Sequence, residues 1–161
     1  MRYRSGIGYD VHQFAEGRPL VLGGITIPHT KGLAGHSDAD VLAHAIADAI
    51  LGAIGQPDIG YWFPPEDNSI EGICSLKILE KAAELVKETG GYIENIDSTL
   101  IAEAPKVMKH APAMKVAIAK SLGMEPADIG IKATTNETMG FVGREEGIAA
   151  LASASIALPE R

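Results

Sequence analysis

Cysteine is nearly missing from this sequence: Cys74 is the only one. A lone thiol excludes an internal disulfide and a cysteine-based zinc site. It fits a reducing compartment such as the cytoplasm, and its expected role is small packing beside a helix. Aromatic residues are scarce at 5%, so the core has to be built from Ala, Ile, Leu and Val. Basic residues are outnumbered, 14 Lys and Arg against 21 Asp and Glu, for a net charge of −7. No basic cluster exists, which argues against nucleic acid as a partner. No apolar run reaches the length of a membrane span. Met1-Arg2-Tyr3-Arg4-Ser5-Gly6 lacks the apolar segment of a signal peptide. Neither a membrane nor export is expected. No internal repeat, linker or low-complexity stretch breaks the chain.

What is present is ample apolar material, 46% of 161 residues, the size of one domain spanning residues 1–161. Residues 3–13 read as a strand interrupted by Gly6 and Gly8, which weaken it unless another backbone or a ligand comes close. Pro19 to Pro28 reads as two short strands around Gly23-Gly24. Helical patterns follow from about Asp38 to Ile54, with Leu42, Ala45, Ile46, Ala49 and Ile50 as the buried stripe, and from Ser75 to Thr89. Between them, residues 56–70 form a proline-broken loop, either a lid or a plain surface connection. Tyr92 to Ala104 reads as a strand, and Pro105 as the start of a third helical stretch that Pro112 bends or restarts. Met114, Ala117, Ile118 and Leu122 are its expected core positions. Strands at 129–135 and 148–158 flank a glycine-spaced loop at 140–147. The expected architecture is α+β, a sheet with helices packed on one face. The other face needs a cover, and oligomerisation supplies it economically. The small residues of 148–158 suggest close packing against a symmetry mate.

The chemistry-bearing residues lie near the start. Asp10 and His12 are two apart, so on a strand both side chains leave the same face. On the helix that follows, Asp40, His44 and Asp48 form one stripe. Asp10, His12 and His44 could therefore converge on one ion from a strand and a helix. One carboxylate and two imidazoles suit zinc, with a fourth position left for substrate. The alternative for His44 is an ordinary hydrogen-bonded core histidine.

Seven motifs then occur in order: Gly-Tyr-Asp-Val-His (8–12), Gly-His-Ser-Asp-Ala-Asp-Val (35–41), Asp-Ile-Gly (58–60), Phe-Pro-Pro-Glu-Asp (63–67), Ala-Pro-Lys (104–106), Lys-Ala-Thr-Thr-Asn-Glu (132–137) and Gly-Phe-Val-Gly-Arg-Glu-Glu-Gly (140–147). From about Arg4 to Leu158 the chain closely resembles the 2-C-methyl-D-erythritol 2,4-cyclodiphosphate synthase family of the non-mevalonate isoprenoid pathway. The resemblance implies a homotrimer whose sheets face the trimer axis, with active sites between subunits. It implies Asp10, His12 and His44 as zinc ligands, of which Asp10 and His12 also lie against the substrate, and Glu137 as ligand of a second cation, Mg²⁺ or Mn²⁺. His36 and Ser37 would hold substrate phosphate, with His36 and Thr135 as the catalytic pair. Asp58, Ile59 and Gly60 would bind the methylerythritol, with Phe63, Pro64, Pro65, Glu66 and Asp67 beside it. Ala102, Glu103, Ala104, Pro105, Lys106, Val107 and Met108, with Ala133 and Thr134, would line a cytidine pocket given by the neighbouring subunit, and Asn136 would also contact the substrate. Phe141 and Arg144, with Glu146, would lie near an axial cavity able to hold an isoprenoid diphosphate. Tyr9 stands where Phe is also common in the family, and Glu145 where Gly is frequent.

The implied reaction takes 4-diphosphocytidyl-2-C-methyl-D-erythritol 2-phosphate to the cyclic 2,4-diphosphate and CMP. Its nucleophile is already an anion, so positioning and charge neutralisation have to dominate over general-base chemistry. Backbone N–H groups near His36-Ser37 at a helix start would bind phosphate, and Asp40 and Asp48 are candidates for orienting the histidines. Two alternatives keep the same residues: a zinc-dependent phosphohydrolase, and a non-catalytic trimeric binder of isoprenoid diphosphates.

Overall fold

The computed structural model describes all 161 residues. Strand β1 (Arg2–Ala15) leads into a hairpin of β2 (Leu20–Leu22) and β3 (Ile25–Ile27), then a two-residue strand β4 (Gly32–Leu33). Helix α1 (Val41–Ala53) follows, then a single helical turn α2 (Ile59–Trp62) and helix α3 (Ser75–Glu88). The second half contains β5 (Tyr92–Ile101), α4 (Ala111–Leu122), β6 (Ile129–Thr134), a short α5 (Gly140–Gly143) and β7 (Gly147–Leu158). The main sheet runs β4-β1-β7-β5-β6, and β2 pairs with β3 alone. Strands β1 and β5 are both antiparallel to β7, and β6 is parallel to β5. The C-terminal ends of β1, β5 and β6 therefore share one end of the sheet.

Helix α1 lies on the sheet and is buried on almost every side, not along one stripe. That fits its composition, since a helix apolar all round has to be interior. Glycine makes the contact possible. A Cβ at Gly6 would sit 2.0 Å from the Ala49 carbonyl oxygen, and one at Gly8 1.9 Å from that of Ala45. The expected close backbone approach at these two glycines is thus met by α1. Ala150, Ala152 and Ala154 of β7 are buried on this same face. Ala150, Ala152 and Ala154 thus serve the approach of α1 within the chain, while Ser153 and Ser155 of the same strand belong to the other face. The opposite face carries no helix. Tyr3, Ile7, Tyr9, Val11 and Leu151 stand exposed there, Ile7 at 85%.

The hairpin is as expected, with Gly23 and Gly24 at φ +58° and +78°. Helix α1 starts later than Asp38, because Asp40 is its N-cap, accepting the Ala43 N–H at 3.0 Å. The same carboxylate accepts the N–H groups of Gly23 and Gly24 at 2.9 and 2.7 Å, locking the hairpin turn to the helix start. Residues 56–70 are not a bare loop but contain α2 and a 3₁₀ turn at Asn68–Ile70. The strand predicted to run to Ala104 stops at Ile101. Pro105 opens no α-helix; α4 begins at Ala111 with Pro112 in its first turn, where a missing N–H costs nothing. Ala117 is only half-buried and Ala119 takes the core position. Cys74 precedes α3 as its N-cap residue but is exposed rather than buried beside the helix. Glu145 has a φ of +57°, the left-handed backbone that explains a preference for glycine there.

Candidate metal centre and active site

Asp10 and His12 leave β1 on the side that faces α1, and His44 projects from the first turns of that helix. Asp10 Oδ2 lies 2.9 Å from His12 Nε2 and 3.0 Å from His44 Nδ1, and the two ring nitrogens are 3.2 Å apart. Three potential ligand atoms thus surround one point. The outer nitrogens are already engaged. His12 Nδ1 donates to the Ala34 carbonyl at 2.7 Å. His44 Nε2 meets Ser75 Oγ at 2.8 Å and Ser37 Oγ at 3.1 Å. Ser75 Oγ in turn donates to Asp38 in a short bond, which leaves its lone pairs to accept from His44. With both outer nitrogens protonated, the inner ones present lone pairs toward the Asp10 carboxylate. Three acceptors on one point call for a cation.

Without an ion, a proton fills that need. Burial raises the Asp10 carboxyl, but hydrogen bonds from His12 and His44, and the charges of those rings, outweigh it and hold it at about 2. Burial pulls His12 down, but the hydrogen bond and charge of Asp10, with the Ala34 bond, push it above its ordinary value. A metal would displace this shared proton. The donor set fits a three-ligand catalytic metal site with one open position.

That position opens into a cavity of about 270 Å³ lined by Asp10, His12, His36, Ser37, His44, Ile59, Gly60, Phe63 and Pro65, together with Ile70, Ile73 and Ile78. His36 is tied by its Nε2 to the Asp67 carbonyl at 2.9 Å, joining the 63–70 segment to the loop that precedes α1. Asp58, Pro64 and Glu66 do not line it, and the Asp67 carboxylate is spent on Ser69. The Ser37 hydroxyl accepts the Ala39 N–H at 3.0 Å besides facing His44. The expectation of a helix N-terminus at His36-Ser37 is corrected. The helix starts at Val41, and the N–H groups of Asp38, Ala39 and Asp40 are bonded to Ile73, Ser37 and Asp38.

Asp40 and Asp48 do not orient the histidines. Asp40 caps α1, and Asp48 accepts the Ile59 N–H at 2.9 Å, anchoring α2 to α1. Burial and the neighbouring charges of Asp58 and Asp10 hold the Asp48 carboxyl above its ordinary value. The orienting groups are Ala34, Ser37, Ser75 and Asp38, and Ser75 lies 31 residues from His44, with no sequence signal to link them. Arg18 was also missed; it donates to the Gly35 and Ser37 carbonyls at 2.7 and 2.6 Å and shapes the same loop.

A second cavity of about 270 Å³ lies at the C-terminal ends of β5 and β6, lined by Ala102, Glu103, Pro105, Lys106, Val107, Met108, Ala133, Thr134 and Thr135. It shares its end of the sheet with the candidate metal site but is a separate cavity, with β7 between. Ala104 does not line it. Glu137 and Asn136 sit just beyond it, and Glu137 is not part of the Asp10–His12–His44 cluster. Phe141 and Arg144 follow in α5 and at its C-cap, and Arg144 pairs with Glu146 at 2.9 Å. No helix is long and apolar enough to cross a membrane.

The fold and the three-ligand cluster define a class, an α+β protein with a candidate metal site of the YgbB family, whose family model matches residues 3–157. The chain belongs to that family. It is 60% identical over 157 residues to the 2-C-methyl-D-erythritol 2,4-cyclodiphosphate synthase of Akkermansia muciniphila, covering 97% of this chain and 93% of that one. Among solved structures, the bifunctional IspDF of Campylobacter jejuni superposes with a TM-score of 0.94 and 43% identity over 99% of this chain and 43% of that one. The IspF of Plasmodium falciparum in its CDP complex gives 0.84 and 31% over 99% and 97%. The resemblance drawn from the seven motifs is borne out.

Proposed function

We propose that the protein is a one-domain synthase that converts 4-diphosphocytidyl-2-C-methyl-D-erythritol 2-phosphate into 2-C-methyl-D-erythritol 2,4-cyclodiphosphate and CMP, in cytoplasmic isoprenoid precursor synthesis. One observation carries this reading. A chain 60% identical to such a synthase converges Asp10, His12 and His44 on one point inside a cavity. An oxygen of the 2-phosphate attacks the β-phosphorus, the bond to the α-phosphate oxygen breaks, and CMP departs with that oxygen. No water is consumed.

Asp10, His12 and His44 would hold Zn²⁺, and Glu137 a second cation, Mg²⁺ or Mn²⁺. Bound by these residues, the cations would supply neutralisation of the charge that develops on the leaving group. The chain's own part is placement. Ser75 and Ala34 fix the histidine rings, and His36 holds the 63–70 segment over the cavity. Ile59, Phe63 and Ile73 exclude water around the sugar. Thr135 lines the second cavity, which would take the cytidine, and from there it would stabilise the transition state at the phosphates.

The two cavities would be completed across a subunit boundary in a homotrimer. The exposed Ile7, Tyr9 and Leu151 on the helix-free sheet face support that assembly, with Phe141 and Arg144 near its axis beside an isoprenoid diphosphate. Turnover in ¹⁸O-labelled water tests the reaction class. Cyclisation leaves both phosphates of the product unlabelled, whereas one solvent oxygen in a linear product would establish a phosphohydrolase instead.

A further inference from the structure

The loop between β6 and α5 holds a conformation its residues do not favour. Glu137 and Thr138 have φ of 52° and 64°, the left-handed region that residues with a Cβ avoid. Two such residues in succession, neither of them glycine, persist only under an outside restraint.

The restraint comes from 33 residues earlier in the chain. Glu103 Oε1 accepts the N–H of Asn136 at 2.7 Å and that of Thr138 at 3.2 Å. A single oxygen can collect both amides only if the backbone between them turns back on itself. Thr135 Oγ1 takes the intervening Glu137 N–H at 3.1 Å. On the far side Gly143 abuts the Thr138 backbone, where an added Cβ would meet the carbonyl carbon at 2.1 Å. The amides of 136, 137 and 138 are thus all engaged, while Glu137 itself is exposed and its carboxylate takes part in none of these bonds.

We propose that Glu103 is a positioning residue, whose carboxylate holds the left-handed turn at Glu137-Thr138 and thereby sets where Glu137 presents its own carboxylate. This rests on the reading of Glu137 as ligand of the second cation. It moves Glu103 from the nucleotide contact that the family resemblance implies to a structural partner of the loop. Metal ligands have to be held to within about 0.5 Å of their working geometry, and an exposed loop of strained residues has no other charged group to hold it there. Glu103 touches no reacting atom in this account.

Three variants test it: Glu103→Ala, Glu103→Gln and the double variant Glu103→Ala/Thr138→Gly. Glutamine keeps an acceptor oxygen in place, and glycine removes the cost of the left-handed backbone. Three readouts are used, two of them for the clamp and its consequence and the third, CMP binding, for the nucleotide. Amide hydrogen exchange at Asn136 and Thr138 reports the clamp without turnover, and CMP release titrated with Mg²⁺ reports its consequence. Glu103→Ala should speed exchange at both amides and raise the half-saturating Mg²⁺ about 10- to 100-fold, as lost support of a metal ligand does. CMP binding measured by calorimetry, to which Glu103 can contribute as a lining residue of the second cavity, should weaken less than the Mg²⁺ response. Glu103→Gln should recover most of the Mg²⁺ response, and adding Thr138→Gly to Glu103→Ala should recover part of it. Unchanged exchange at the two amides in Glu103→Ala would overturn the proposal. So would lost CMP binding with a normal Mg²⁺ curve, which would return Glu103 to the nucleotide. If the native protein released no CMP at all, the synthase reading would fall, and the exchange measurement would still decide the clamp.

Discussion

His12 Nε2 and His44 Nδ1 stand 3.2 Å apart, one from a strand and one from a helix, with their rings crossed at 61°. Each ring has committed its other nitrogen to a protein oxygen, so the pair faces inward with lone pairs and the Asp10 carboxylate closes the set. Ser75→Ala removes the closest acceptor behind His44 without touching any ligand. It is expected to lower zinc affinity about 10- to 100-fold while leaving the far-ultraviolet circular dichroism of the fold intact. Competition with a chromophoric chelator measures this directly, and unchanged affinity would place the orientation of His44 elsewhere.

The stripped protein should carry a pH signature of the same cluster. Asp10 is held at about 2 against an ordinary 3.8, so its contribution to stability is present above pH 3.8 and is lost as pH falls through about 2. His12 is held above its ordinary 6.5, so its contribution is full below pH 6.5 and is lost as pH rises through the elevated value. The two shifts describe one contact and do not add; the Asp10 shift corresponds to on the order of 2 kcal/mol at most. Calorimetry should show the Tm of the metal-free protein falling as pH is raised above 6.5. With zinc bound the histidines are already deprotonated, so that decline should vanish. Parallel profiles for the two forms would contradict the assignment.

Gly8 and Gly52 make a matched pair of substitutions. At Gly8 an added methyl would lie 1.9 Å from the Ala45 carbonyl oxygen, whereas at Gly52 the nearest atom is 3.9 Å away. Gly8→Ala should force β1 off α1, costing about 1–3 kcal/mol or more, and should weaken zinc binding because the ligands straddle that contact. Gly52→Ala, on the exposed side of the helix, should be neutral or stabilising by up to about 1 kcal/mol. Thermal melts and metal titrations of the two variants check this; equal effects would show that the β1–α1 spacing does not set the site.

On the helix-free face, Ile7 is 85% exposed and lies across from Ser153 of β7. Ile7→Lys leaves the chain's own core untouched and should convert the proposed trimer to monomers in sedimentation. CMP release should fall with it, since the metal cavity and the nucleotide cavity would then lack their counterparts. A fully active monomer would show that one chain holds the whole site.

Much of this was legible from local pattern. Asp10 and His12 share a face because strands alternate, Gly23-Gly24 marks a tight hairpin, and seven motifs in order point to the family. What was not legible depended on distant contacts. Asp40 and Asp48 read as supports for the histidines because helical spacing aligned them with His44, yet one caps the helix and the other anchors α2. The true supports, Ala34 in the loop after β4 and Ser75 at the first position of α3, reach the histidines through a chain course that no periodicity encodes. Pro105 carried the residue type of a helix start but not its place, since the chain first makes the loop that forms the second cavity. The small residues of β7 signalled close packing, but a strand's alternation does not say which face the helix will take, and α1 is the partner of Ala150, Ala152 and Ala154.

The central claim is that the Asp10–His12–His44 site supports cyclisation with loss of CMP. The most direct measurement follows purified protein with zinc, Mg²⁺ and 4-diphosphocytidyl-2-C-methyl-D-erythritol 2-phosphate, with CMP quantified by chromatography and the second product by phosphorus NMR, alongside His44→Ala. The native protein should yield CMP and the cyclic 2,4-diphosphate in equal amounts, and His44→Ala, its zinc content diminished, should yield almost none of either. A linear phosphate product, or undiminished cyclisation by a His44→Ala protein shown to be zinc-free, would contradict the account.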